Sequence, residues 1–420
     1  MDSVWALIVG IFPFGGFIGG MLSGLVADKV GRRNGMLLNN IFAILAVSVM
    51  SVTQYTTSYI CLIVGRFVIG INCGISSALC PMYLTEISPI KLRGMLGTFN
   101  QLVVSIAILL AQILGLEAVL GSKENWPILF CKKIFYNIIA IPAIFQLCSL
   151  PFCPESPKYL IAHGSSMEKV QKGNKRVDLQ KLRQVENVNS EIEAIQYEMN
   201  AATATPKLNF PVGLQVLFLD MFRDRILRWA LFISIMMMFS QQFSGINAVL
   251  FYSTKIFMDG AGLSETNAQF ATLGVGLINV LMTIVSAVLI DKAGRRMLQL
   301  IGLGGMWISC IALSVSIIYM LDQASSTSLD VFTFKCSIPW FYTNEIFLQN
   351  ARGYANAIAA SANWMSSFLV GWIFPLMAMM PLQANQNSYS LDLFTLIKCL
   401  GRVYIFGICW YVGSVLVVHI

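Results

Sequence analysis

Carboxamide side chains stand in this sequence where hydrocarbon should be. Gln101, Ser105 and Gln112 lie in one apolar run, and their offsets of four and eleven residues return to nearly the same helical angle. Counted back from Ser367, Asn363 and Asn356 repeat those offsets in another run, and Asn279 sits alone in the middle of a third. The densest cluster is Gln241-Gln242-Phe243-Ser244-Gly245-Ile246-Asn247. An unsatisfied amide in hydrocarbon costs on the order of several kcal/mol, so each must face a cavity or another helix. For any single amide the plain reading is an interhelical hydrogen bond worth about 1 kcal/mol. Stripes of uncharged amides on several runs point to a shared aqueous cavity. Gln242 and Asn247 would not share a face of an intact helix, and Gly245 is placed to loosen it so that both point inward.

The chemistry of such a cavity is specific. It offers amide donors and acceptors, aromatic surface from Trp340 and Trp364, and no Asp, Glu, Lys or His at midplane. That lining suits a neutral polyhydroxylated ligand: amides match hydroxyls, and an indole packs on the apolar face of a ring. An ion or an amino acid would call for charge. Enzymatic motifs are absent: there are only two histidines, His163 and His419, and no zinc-binding His pair, Walker loop or nucleophile elbow. The sequence thus predicts no enzyme, no metal and no cofactor. Ten cysteines are scattered, mostly inside apolar runs (Cys61, Cys73, Cys80, Cys310, Cys409), and read as small apolar fillers.

The elements that must hold these residues are membrane helices. Of 420 residues, 56% are apolar and 12% are charged, half the charge of a soluble domain at about 25%. With a mean hydropathy of +0.70 this excludes an ordinary soluble enzyme and a disordered chain. A β-barrel would alternate over stretches of about ten residues. Here the apolar runs are continuous and roughly twenty long, as a spanning helix needs. They cover 5–26, 36–53, 59–82, 94–115 and 134–152, then 229–250, 267–290, 297–320, 331–347, 353–380 and 402–418. That predicts about eleven membrane segments, one of them short. The net charge of +7 does not point to nucleic acid, because the basic residues sit in short loops between runs.

An internal repeat organises the chain. Asp28-Lys29-Val30-Gly31-Arg32-Arg33 recurs as Asp291-Lys292-Ala293-Gly294-Arg295-Arg296, and Glu86 with Arg93-Gly94 recurs as Glu345 with Arg352-Gly353. Two parallel halves follow: an N-terminal bundle over 1–153, a linker with short helices over 154–224, and a C-terminal bundle over 225–420. Lys and Arg at alternate loops place the linker and both repeated loops in the cytoplasm. Stop-transfer charge explains the basic residues but not their acidic partners. Asp28, Arg32, Arg33, Arg66, Glu86, Arg93, Asp291, Arg295, Arg296, Glu345 and Arg352 are therefore expected to form cytoplasmic ion pairs that break when the halves rock apart, with topology alone as the alternative. Two helices precede the repeated loop in the second half and one in the first, so a helix is expected to be missing before Met1.

These residues resemble a known family. Gly65-Arg66-Phe67-Val68-Ile69-Gly70, Pro81-Met82-Tyr83-Leu84-Thr85-Glu86-Ile87-Ser88-Pro89, Pro154-Glu155-Ser156-Pro157-Lys158-Tyr159-Leu160, Gln241 to Asn247, Ile338-Pro339-Trp340-Phe341 and Asn363-Trp364 are similar to the facilitative hexose (glucose) transporters, sugar porters of the major facilitator superfamily. The resemblance implies an all-α membrane protein of two pseudo-symmetric helix bundles in the plasma membrane. It implies facilitative transport of a hexose, glucose first, by alternating access, with the lipid bilayer as the other partner. By motif position, Gln101, Gln241, Gln242, Asn247, Asn279, Trp340 and Asn363 correspond to the sugar-binding set, Tyr252 to the outer gate, and Glu155 joins the inner latch. The alternatives are a proton-coupled sugar symporter and a truncated, non-transporting isoform or sugar sensor. The chain departs from the family at Met238-Phe239-Ser240, at Cys131-Lys132-Lys133 and at Phe332-Thr333-Phe334-Lys335-Cys336-Ser337.

Overall fold

The structure, a computed structural model, describes residues 2–56, 59–89, 92–122, 140–162, 193, 220–243, 247, 251–254, 257–258, 262–294, 297–302, 304–305, 338–347 and 349–379. Arg295, Arg296, Cys310, Cys409, both histidines, Cys131 to Lys133, Phe332 to Ser337, the run at 402–418 and most of the linker lie outside the described residues.

Eleven α-helices are described: α1 (Asp2–Lys29), α2 (Arg32–Thr56), α3 (Tyr59–Ile87), α4 (Arg93–Leu114), α5 (Ala140–Ser149), α6 (Pro157–Ala162), α7 (Asp220–Arg223), α8 (Arg225–Phe243), α9 (Glu265–Ala293), α10 (Ile338–Ile346) and α11 (Gln349–Met379). No strand occurs among the described residues. Within α1, α2, α3, α4, α8 and α9 lie six helical stretches long and apolar enough to cross a membrane. Several helices outrun their apolar segments, two of them for a reason visible in the side chains. α2 starts at Arg32 and not at Met36, and α3 continues past Met82 to Ile87. The reason is physical: Arg32 and Glu86 in those extra turns pair with each other, so the helices need not stop where hydrocarbon does.

In the first half α1 and α2 pack on α3, and in the second α8 packs on α11. The two most extensive contacts between the halves are α1 with α11 and α4 with α9; α10 also touches α3 and α4, and α11 touches α3. The repeat makes α1 the counterpart of α9 and α4 the counterpart of α11, so the two crossings are one contact turned through a pseudo-two-fold axis. Particular atoms agree with this. Asp291 Oδ2 accepts the backbone N–H of Met95 near the start of α4 (3.2 Å), while the Asp28 carboxylate lies against Gly353 near the start of α11. Both carboxylates thus meet the positive end of a helix from the other half.

Backbone contact holds α1 on α3. A Cβ on Gly74 would stand 2.2 Å from the Gly16 carbonyl oxygen, so no side chain fits between them. Small residues at such crossings are how membrane helices gain dispersion contact without a hydrophobic drive. Gly74→Ala is expected to cost about 1–3 kcal/mol by overpacking, read as a lower thermal unfolding midpoint in detergent. An unchanged midpoint would contradict this contact.

Polarity is distributed inside out. Ile41, Ile60, Phe145, Ile226 and Val288 are exposed around the outside, whereas Gln101, Gln241, Gln242, Asn279 and Asn363 are buried between helices. Lipid is the solvent for the first set and protein for the second.

Candidate functional site

The amides of the second half form a relay with one direction. Asn247 Nδ2 donates to Ser367 Oγ (2.9 Å) and to Gln242 Oε1. Gln242 Nε2 donates to Asn363 Oδ1 (2.7 Å), and Asn363 Nδ2 donates to Gln241 Oε1 (3.0 Å) and approaches Met238 Sδ (3.4 Å). α8 ends at Phe243, and Asn247 beyond it comes back within reach of Gln242. Gln242 and Asn247 thus meet despite their spacing, while Gly245 lies outside the described residues. Ser367, on the α11 stripe, closes the chain at one end.

A second polar set lies where α4 crosses α9. Gln101 is buried, and its Nε2 is 3.5 Å from Ser105 Oγ, which donates to the Gln101 carbonyl (3.0 Å) and lies 3.4 Å from Thr283 Oγ1. Thr283 Oγ1 donates to the backbone carbonyl of Asn279 (2.8 Å). The Asn279 side chain is 0% exposed, and neither its amide nitrogen nor its amide oxygen has a hydrogen-bond partner. Buried polar atoms are almost always satisfied, so an orphaned donor and acceptor on one side chain is the most informative feature of the site. Gln112 lies against Gly276 of α9, and its Oε1 is also buried without a partner.

Depth along the helices places both sets at one level. At a rise of about 1.5 Å per residue, Gln101 stands about 12 Å from Arg93, Asn363 about 17 Å from Arg352 and Asn279 about 18 Å from Asp291. These are mid-depth positions in a hydrocarbon layer of about 30 Å. Trp340 is half-buried near the start of α10, and its carbonyl accepts Asn344 Nδ2 (3.2 Å). Asn344 Oδ1 in turn accepts Asn356 Nδ2, which ties α10 to α11. Tyr252 is buried, and its hydroxyl donates to the Gly371 carbonyl (3.0 Å). Gly371 is about 28 Å along α11 from Arg352, so Tyr252 stands at the end opposite the charges.

At the charged end Glu86 is the hub, with a fully buried side chain. It accepts Arg32 Nε (3.1 Å) and Nη2 (3.2 Å), lies 3.6 Å from Arg352 Nη1 of the other half, and accepts the Ser156 hydroxyl. Arg32 also stands 4.0 Å from Asp28 and 5.1 Å from the Tyr159 ring centre. The Tyr159 hydroxyl pKa is raised by burial and then by the neighbouring Glu155 charge. Glu155 Oε1 accepts the backbone N–H groups of Arg32 and Arg33 (both 3.0 Å), so a carboxylate from beyond α5 caps the start of α2. The turn that permits this has Gly31 at φ +96°, and a Cβ there would stand 2.7 Å from Glu155 Oε2. Arg33 donates to the Leu150 and Pro151 carbonyls (3.0 and 2.6 Å). Glu345 is half-buried and Arg93 partly so, with Arg93 Nε lacking a partner.

Arg66 does not join this cluster. It lies on the same helix as Glu86 but twenty residues away, about 30 Å along the axis. Its guanidinium instead sits 5.8 Å from the Phe12 ring centre. An arginine near a membrane helix needs a partner, and here an aromatic face supplies one. Ser156 and Tyr159 were not singled out from the sequence. The available signal was their place beside Glu155 in one short motif. Asn344 gave no such signal, because only the break between α10 and α11 brings it to Asn356.

A sequence profile described as "Sugar (and other) transporter" matches residues 1–412. The chain belongs to the sugar transporter family. This sugar transporter is 43% identical over 408 residues to Facilitated glucose transporter protein 1 of Caenorhabditis elegans, covering 94% of its own length and 75% of the relative's. It is 41% identical over 386 residues to human "Solute carrier family 2, facilitated glucose transporter member 3", covering 89% and 73%. Among solved structures it resembles the proton:xylose symporter bound to 6-bromo-6-deoxy-D-glucose, with TM-score 0.70, 25% identity and coverage of 96% and 85%. The major facilitator superfamily transporter FucP in the outward conformation matches in fold alone, with TM-score 0.58 and 14% identity. The sugar transporter is thus an all-α, multi-pass membrane protein with the major facilitator fold. Its relatives are transporters and not enzymes.

Proposed function

We propose that this sugar transporter carries a hexose, glucose first, across the plasma membrane down its gradient by alternating access, with no direct energy coupling. The observation that carries this is the orphaned Asn279 carboxamide, fully buried at mid-depth near Gln101 and Ser105. A ligand hydroxyl both donates and accepts, and so satisfies an amide nitrogen and an amide oxygen together. In this reading Gln101, Gln241, Gln242, Asn247, Asn279 and Asn363 bind hydroxyls, and Trp340 packs on the ring. Residues 1–153 and 225–420 form two rocking bundles, and 154–224 links them on the cytoplasmic side. Tyr252 belongs to the outer gate.

The charged end acts as the cytoplasmic latch. Arg352 to Glu86 and Asp291 to Met95 are contacts between the halves, and both must break for that end to open. Arg32, Ser156 and Glu155 hold Glu86 and α2 in place within the first half. Arg33, Asp28, Arg93, Glu345, Arg295 and Arg296 complete the latch by their places in the repeat.

A second reading, proton-coupled symport, is favoured by the similarity to a proton:xylose symporter. Radiolabelled glucose flux into proteoliposomes separates the readings. Saturable uptake indifferent to a pH gradient supports uniport, and uptake accelerated by an inward proton gradient supports symport. No saturable uptake, with a longer relative active alongside, supports the non-transporting alternative. Gln241→Ala is expected to weaken glucose affinity about fivefold, since one hydrogen bond contributes about 1 kcal/mol net. The variant should stay folded, its unfolding midpoint lowered only by the acceptor that Asn363 Nδ2 loses. A collapsed midpoint would make Gln241 a structural residue.

A further inference from the structure

The corner that leads into α8 carries charge that neither the central site nor the latch uses. Arg223 at the end of α7, and Arg225 and Arg228 in the first turn of α8, are all exposed. Phe222, Ile226 and Trp229 stand exposed among them, Ile226 at 69% and Trp229 at 41%. Among the described residues none of the three guanidinium groups makes a hydrogen bond or an ion pair. Asp224, between them in sequence, is turned to the backbone instead. Its Oδ1 accepts the N–H groups of Ile226 (2.8 Å) and Leu227 (3.1 Å) and so caps α8.

The corner is also held in place and set at a particular depth. Met221 of α7 is fully buried in one cluster with Leu231 and Phe347. The Phe347 carbonyl accepts Arg352 Nη2 (3.1 Å), which puts the corner at the charged end of the molecule. Gln241 accepts the mid-depth Asn363 and marks the midplane on α8. At about 1.5 Å per residue, Trp229 lies about 18 Å and Arg228 about 20 Å along the helix from it. Hydrocarbon ends about 15 Å from the midplane, and the headgroup layer ends about 20–22 Å from it. The indole therefore stands at the edge of the hydrocarbon, and the guanidinium groups stand among lipid phosphates.

We propose that this corner is a docking surface for the headgroup of an anionic phospholipid: Arg223, Arg225 and Arg228 meet its phosphate and net negative charge, while Ile226 and Trp229 lie along the start of its acyl chains. Three positive charges without an acidic partner favour a lipid of net negative charge over a zwitterionic one. Planar guanidinium forks match phosphate oxygens in geometry as well as charge. Apolar side chains set between the arginines favour an amphiphile over a free anion. A capped and anchored corner loses little freedom when the lipid binds. The inference holds whatever solute the central site carries.

The test uses the purified full chain in detergent at low salt, titrated separately with phosphatidylserine, phosphatidylcholine and inorganic phosphate. The unfolding midpoint is followed against concentration, because a ligand of the folded state raises it by mass action. Phosphatidylserine is expected to raise the midpoint of the wild-type chain, and the other two are not. Arg225→Gln with Arg228→Gln should weaken the apparent affinity for phosphatidylserine tenfold or more, since each basic residue at an anionic surface contributes about fivefold. Arg225→Gln alone should weaken it less, which keeps the test alive if the double variant does not fold. Lys29→Gln with Lys292→Gln removes two exposed charges from the same end and should leave the affinity as in wild type. The proposal is overturned if wild type gains nothing from phosphatidylserine, or gains as much from phosphatidylcholine or inorganic phosphate. It is also overturned if the arginine variants respond like wild type, or if the lysine pair loses as much as the arginine pair, because diffuse surface charge would then be at work.

Discussion

Glu86→Ala is expected to destabilise the protein by about 3–5 kcal/mol, the cost of stripping one partner from a buried ion cluster. Its side chain is fully buried, and two guanidinium groups converge on it, Arg32 from its own half and Arg352 from the other. Removing the carboxylate leaves Arg32, itself 2% exposed, with the Ala27 carbonyl and the more distant Asp28. The Ser156 hydroxyl loses its acceptor too. Thermal unfolding of the purified variant in detergent reads the effect, and cysteine labelling at the charged end reads the accompanying opening. Both should move together, because the same carboxylate holds Arg32 and bridges to Arg352. A variant as stable as wild type would show that the cluster is no more than surface charge, worth at most about 1 kcal/mol. Glu345→Ala, at the equivalent but half-buried position, should cost less.

Asn279→Leu is expected to do two opposite things. Hexose affinity should fall by tenfold or more, because a site built to bond a hydroxyl is left with an apolar wall; an apolar pocket rejects a hydroxyl by up to about 10²-fold. The ligand-free protein should become more stable, because an amide with neither atom satisfied is replaced by a side chain of similar size that needs no partner. Binding and melting measured on one preparation separate this from general damage, which would lower both. A less stable variant would mean that the amide is satisfied in the resting protein.

Much of this arrangement was legible in the sequence, and particular residues show where legibility stopped. The amide stripes follow from helical periodicity, so Gln101 with Ser105 and Asn363 with Ser367 could be placed on common faces before any coordinates. The repeat likewise paired Asp28 with Asp291, and their matched contacts on α11 and α4 bear the symmetry out. The direction of the relay from Asn247 to Gln241 was not legible, because which amide donates depends on how α8 and α11 cross. Arg66 shows a different limit. Charge type suggested an ion pair, but only counting residues along one unbroken helix puts it about 30 Å from Glu86. Asn344 and Asn356 are twelve residues apart across a helix break, where periodicity carries no information.

The central claim is that carboxamides from both halves converge on one sugar ring. A structure determined with glucose bound tests it most directly. The account predicts the ring at mid-depth, with one hydroxyl bonded to the Asn279 carboxamide and others reaching Gln101 and the Gln241 end of the relay. Sugar density elsewhere, or an Asn279 amide satisfied by neighbouring side chains while glucose is bound, would contradict it.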